Sequence, residues 1–170
     1  QFLTHHSLGR TWYEMRGADT QLAHLDYLVK PEEGFDERAP KDPRDLRVLD
    51  PACGSGHFLL YAFDLLAGDP TRSFFGIYEE AWRAEAAAKS EVTGRTLKED
   101  YDSELALRRA VPELILKHNL HGVDIDPRAA QIAGLALWMR AQRAYNDHKV
   151  AAQDRPLIGR TNIVTAEPMS

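Results

Sequence analysis

Two aspartates and two glycines are the first residues in this sequence whose types and spacing could do chemistry. In Asp50-Pro51-Ala52-Cys53-Gly54-Ser55-Gly56, an aspartate closes a short apolar run. A glycine-containing turn follows, and then the apolar stretch from Phe58 to Leu66. A strand ending in a carboxylate, then glycines, then a helix is how α/β folds seat a nucleotide-like ligand at the carboxyl edge of a sheet. Gly54 and Gly56 let the backbone approach a ligand closely, because no side chain intervenes. Phosphate does not suit this loop, since a Walker loop needs Gly-Lys-Ser/Thr and no lysine stands here. The dinucleotide fingerprint Gly-x-Gly-x-x-Gly also fails, because Leu59 occupies the place of the third glycine. An acidic strand end suits instead a ligand with a cationic head, such as the ammonium of an amino-acid moiety. A ligand-free strand-to-helix turn is the alternative.

Gly122-Val123-Asp124-Ile125-Asp126-Pro127 is the second candidate. A carboxylate at the end of the next strand is placed to accept both hydroxyls of a ribose. Asp124 is the first acidic residue out of that strand, and Ile125 offers an apolar face to an adenine ring. Asp126 reads as the cap of the helix that Pro127 opens. The third candidate is Glu167, with Pro168 beside it, after Asn162-Ile163-Val164-Thr165. Its carboxylate could accept from an adenine amine, or simply face solvent. Seven histidines show no His-Glu-x-x-His spacing, so no metal is expected. His57 lines the loop at most. Cys53 has no evident base beside it and reads as a small buried thiol rather than a nucleophile.

These residues need an alternating framework. Leu46 to Asp50, His121 to Ile125 and Asn162 to Thr165 read as strands. Phe58 to Leu66 and Pro127 to Tyr145 read as helices between them. Strand, helix, strand, helix, strand predicts a parallel sheet. Before it, residues 2–15 and 19–29 have helical spacing, with Leu3, Leu8 and Trp12 on one face and Leu22, Leu25 and Leu28 on another. Residues 30–45 hold three prolines, a glycine and many charges, and read as a solvated linker. Glu79 to Ser90 is helix-prone, Val92 to Asp102 irregular, and Glu104 to Asn119 helical, with Pro112 opening a second half. Trp12, Trp82 and Trp138 fall on helical faces and are expected in the core. The expected division is a helical segment at 1–29, a linker at 30–45 and an α/β domain at 46–170.

The 170 residues are 44% hydrophobic, enough for one real core. No run of 18 apolar residues is present, so no membrane span is expected. A single cysteine excludes an internal disulfide framework and fits a cytoplasmic location. A net charge of -5 is the wrong sign for a surface devoted to holding phosphates. Any grip on nucleic acid is expected elsewhere. Abrupt ends at Phe2 and Thr165 give the sequence the look of a piece of something longer.

The motifs carry a resemblance. Asp50 to Leu59 resembles motif I of the amino (N6-adenine) DNA methyltransferases, and Asn119 to Ala129 resembles their motif II. With Ala133-Gly134-Leu135-Ala136-Leu137-Trp138 downstream, the pair is especially similar to the large methyltransferases of restriction and phage-defence systems, including the PglX enzymes of BREX loci. Asn162 to Pro168 stands in the place of motif III. The resemblance covers 46–68 and 112–168 well and 1–29 more loosely. It implies a Rossmann-like S-adenosylmethionine-dependent methyltransferase core, partial in this chain.

Carried over by position, Asp50, Pro51, Ala52, Cys53, Gly54, Ser55, Gly56 and Phe58 would surround the methionine part of S-adenosylmethionine, with Asp50 near its ammonium. Asp124 would hold the ribose hydroxyls and Ile125 would pack on the adenine. Glu167 would meet the adenine amine beside Pro168, although the family commonly has aspartate there. Implied partners are double-stranded DNA, gripped by parts outside these residues, and proteins of a defence system. Methylation of RNA or of a protein amide shares the same motifs, and a non-catalytic cofactor-binding or assembly module is the non-enzyme alternative.

Two departures matter. Asp50 and Asp124 are 74 positions apart, where a plain βαβ unit needs about 30 residues. Residues 71–111 therefore read as an insertion. The motif (Asn/Asp)-Pro-Pro-(Tyr/Phe), which in this family holds the target amine and stacks on a flipped base, occurs nowhere in the sequence. The expectation is a cofactor half-site without catalytic residues of its own.

Overall fold

The computed structural model describes residues 1–24, 26, 28–29, 34, 37–69 and 74–167. Its centre is a three-stranded parallel sheet of β1 (Val48–Asp50), β4 (Leu120–Asp124) and β5 (Asn162–Thr165), in the order β1-β4-β5. A two-residue antiparallel pair, β2 (Gly68–Asp69) with β3 (Phe74–Phe75), lies outside it. The helices are α1 (Phe2–Thr4), α2 (Arg10–Arg16), α3 (His57–Ala67), α4 (Ile77–Arg83), α5 (Leu97–Asp100), α6 (Glu104–Leu114) and α7 (Pro127–Asp147). A wider π-type turn at His5–Gly9 joins α1 to α2, and another at Ile115–Asn119 carries α6 to β4. Among the described residues, no helix is long and apolar enough to cross a membrane. The mixed α/β architecture with a small parallel sheet matches the predicted alternation.

The register explains why Gly122 is a glycine. It pairs with Asp50 on one side and Ile163 on the other. A Cβ there would stand 2.7 Å from Ile163 Cδ1, 3.0 Å from Leu59 Cδ1 and 3.1 Å from Cys53 Cβ. The middle strand is thus closed over by α3 and by the loop that precedes it. The helices α3 and α7 pack on one another and on β4. Leu59, Phe63 and Leu66 of α3 and Leu137 of α7 are fully buried.

Four expectations change in the segments around this sheet. Residues 19–29 do not form a continuous helix: Gly17 turns out of α2 at φ 66, Thr20 is extended, and Gln21–His24 is a single 3-10 turn. Leu25 lies outside the described residues. The competing attraction is Glu80 of α4, whose carboxylate accepts from Trp12 Nε1 (2.8 Å), Thr20 Oγ1 (2.7 Å) and the Gln21 N–H (2.8 Å). The helix-prone run Glu79 to Ser90 stops at Arg83. Beyond it, Ser90 Oγ and the Glu91 N–H donate to Asp45. Pro112 does not start a second helix; α6 runs through it. Inside Val92 to Asp102, α5 forms with a reciprocal Thr96/Glu99 capping box.

The end of the expected linker is not solvated either. Asp42, Pro43 and Arg44 are buried, with Arg44 2% exposed. Its guanidinium bonds both Asp42 oxygens and pairs with Asp100, and it donates to the Arg95 carbonyl. Buried Asn119 donates to the Pro43 and Leu46 carbonyls and accepts from Tyr78. Residues between Tyr78 and Asp100 thereby fasten the entry to β1. Trp12 and Leu8 of the first segment, Leu97 and Leu107 of the apparent insertion, and Leu59 share one hydrophobic core.

Candidate functional site

The sheet brings the first two candidates together at its carboxyl edge. After β1, the Cys53 N–H donates to the Val123 carbonyl at 2.9 Å, so the glycine loop is hydrogen-bonded to the end of β4. The Gly54 N–H then donates to Asp124 Oδ2 at 2.8 Å. Gly54 needs φ 51 and Gly56 φ 86, in the left-handed region that favours glycine. Gly56 is also pressed on α7, where an added Cβ would lie 3.2 Å from Ala133 Cβ. At Gly54 an added Cβ would meet nothing within 4 Å, so the loop is open on that side.

Asp124 is the hub of the site. Its Oδ1 accepts from the Asp126 N–H at 2.9 Å and its main-chain oxygen from the Ala166 N–H at 2.8 Å. The N–H groups of Asp126 and Gly54 hold its carboxyl below the usual carboxylate range. The Ile125 N–H adds to the same effect. Asp126 caps α7 through the Arg128 N–H at 2.8 Å, with Pro127 at the first helical position, as the sequence suggests. The two aspartates have divided their work. Ile125 is 76% exposed beside Asp124, an apolar face without a cover.

The remaining candidates scatter around this hub. Asp50 accepts from the Ala52 N–H at 3.2 Å, which leaves its other oxygen for a cation. Pro51 and Ala52 are exposed on the loop. Cys53 is buried; burial pushes its thiol upward, with Asp124 and Asp50 adding to the shift, so a reactive thiolate is disfavoured. Ser55 Oγ lies 2.8 Å from His57 Nδ1, and His57 is exposed. Phe58 packs on the core and lines a concavity of about 280 Å³ with Leu8, Thr11, Val48 and Leu49. Glu167 follows Ala166 and is exposed at the same sheet edge, while Pro168 lies outside the described residues. In the sequence Ala133 stands out only as part of the Ala133–Trp138 stretch, with no role against the loop; the structure sets it against Gly56.

Known proteins share this arrangement of motifs. A family model described as "MmeI, DNA-methyltransferase domain" matches residues 40–169. The chain belongs to this family. This methyltransferase domain is 31% identical, over 98% of its length, to the adenine-specific methyltransferase BrxX of Escherichia coli O9:H4. It is 29% identical over 84% of its length to the adenine-specific methyltransferase PglX of Lacticaseibacillus casei. It is also 32% identical over 71% of its length to a putative type II restriction enzyme and methyltransferase of Methanocaldococcus jannaschii. The domain spans only 12%, 10% and 9% of the lengths of these relatives. Membership implies a methyl donor for the reaction.

Proposed function

We propose that this domain is the S-adenosylmethionine-binding part of a DNA methyltransferase acting on adenine N6 in a restriction or phage-defence system. The observation that carries it is the Asp124 carboxylate, which ties the glycine loop to the second acidic strand end. The strand order β1-β4-β5, with the loop after β1 and Asp124 after β4, is what one half of a Rossmann-like methyltransferase core requires.

The residues fit the cofactor. Asp50 would meet the ammonium, the loop from Pro51 to Gly56 the methionine chain, Asp124 the ribose and Ile125 the adenine. Glu167, with Pro168, would face the adenine amine, and Phe58 would support the loop from behind. Bound there, the cofactor supplies an activated methyl group. This chain's own contribution is orientation, which is where much of the rate of such transfers originates. The target adenine and the groups that hold its amine are assigned to polypeptide outside residues 1–170, and so is most of the grip on double-stranded DNA. The family's description as a DNA-methyltransferase domain and the adenine-specific names of the relatives favour adenine in DNA over RNA or a protein amide.

The test is transfer of a labelled methyl group by the full-length protein to adenine in duplex DNA. Asp124→Ala is expected to cut transfer at low cofactor, with partial recovery at high cofactor. Undiminished transfer in that variant, or labelling of RNA alone, would refute the reading.

A further inference from the structure

One sequence feature, Ala133-Gly134-Leu135-Ala136-Leu137-Trp138, is only half used by the site. Its inward residues have an account in the fold. Ala133 seats Gly56, Gly134 leaves room for Thr161 Oγ1 at 3.1 Å from an added Cβ, and Leu137 is fully buried. Its outward residues have none. Ile132 (55% exposed), Leu135 (58%), Trp138 (44%) and Met139 (58%) share the opposite face of α7 across two turns. Trp138 therefore departs from the core position expected of it. Four large apolar side chains in one stripe are more than scattered surface hydrophobics, and contiguous patches of this kind mark contact surfaces.

We propose that this face of α7 docks an amphipathic helix with acidic flanks, supplied by the same polypeptide outside residues 1–170. Charge argues for the flanks: Arg128 stands one turn before Ile132 and Arg143 one turn after Met139, so a cation brackets each end of the stripe. Arg143 is largely exposed, with a 4.0 Å contact to Asp147 and a longer-range attraction to Asp64. Area argues for a tethered occupant. Half of each of four side chains falls well short of the roughly 800 Å² per partner that a stable free-standing complex buries. A covalently linked helix escapes that requirement, because its effective concentration is high. The relatives carry ample further polypeptide, since this domain covers no more than 12% of their length. The inference does not depend on the cofactor reading.

Hydroxyl-radical footprinting read by mass spectrometry tests it, on the 170-residue chain and on the full-length protein, with Trp138 and Met139 as reporters. Both are expected to oxidise roughly tenfold more slowly in the full-length protein, as side chains packed away from solvent should. That protection is expected to persist on dilution and to be lost in the Arg128→Glu/Arg143→Glu variant. Equal reactivity in the two proteins would overturn the proposal. Protection that disappears on dilution would assign the face to a second copy, and protection indifferent to the charge reversal would overturn the acidic flanks.

Discussion

Asp124 does two jobs at the residue scale, and its variants should separate them. Removing the carboxylate in Asp124→Ala leaves the Gly54 and Asp126 N–H groups without acceptors and the ribose without a partner. Cofactor affinity is expected to fall roughly 10- to 100-fold, the range for losing hydrogen bonds to a charged group, measurable by calorimetric titration. The pH dependence follows from the depressed carboxyl. A lowered value keeps the charged form at lower pH, so the arrangement is complete above the ordinary aspartate range near 4 and is lost only as pH falls through the depressed value. Affinity should therefore stay flat from about pH 8 to about pH 5 and drop below about pH 4. A decline already centred near pH 6 would mean that another group controls binding. Gly56→Ala should destabilise the fold by about 1–3 kcal/mol in denaturant titration, because φ 86 is strained for alanine and Ala133 leaves little space.

At the scale of elements, the strands and helices that carry the site were legible and those that brace it were not. Strands β1, β4 and β5 and helices α3 and α7 follow from apolar runs punctuated by Gly54, Gly56, Asp126 and Pro127, all local signals. The segments at 19–29, 42–45 and 84–96 are decided by partners far away in sequence. Glu80 draws in Thr20 and Gln21, Asp45 draws in Ser90 and Glu91, and Arg44 reaches Asp100. Such pairings cannot be read from periodicity. They yield their own prediction. Arg44→Met leaves Asp42 buried without its cation, and is expected to cost about 3–5 kcal/mol in thermal or denaturant unfolding, as for other broken buried pairs. A loss under about 1 kcal/mol would show that the latch is not structural. Gly76→Ala places a Cβ 2.3 Å from the Gly68 nitrogen, a backbone contact that cannot rotate away, and is expected to prevent α4 from packing after α3. Loss of the far-ultraviolet helical signal in proportion would report it.

For the whole molecule, the domain joins the glycine loop and Asp124 at the carboxyl edge of its sheet to a brace made from residues on both sides of β1. One core unites these parts. The two motifs could be joined as one half-site through the resemblance they carry, but the Gly54–Asp124 hydrogen bond that ties them could not be read, because it depends on β1 and β4 being neighbours. Family membership rests on residues 40–169, which hold both motifs, while the brace also draws on Thr20 and Gln21 before them. Residues 1–170 are therefore expected to bind the methyl donor without help. Isothermal titration of the 170-residue chain with S-adenosylmethionine measures this directly. A saturable single-site heat, displaced by S-adenosylhomocysteine, is the expected result. No heat at millimolar cofactor, from a chain shown to be folded by circular dichroism, would contradict it.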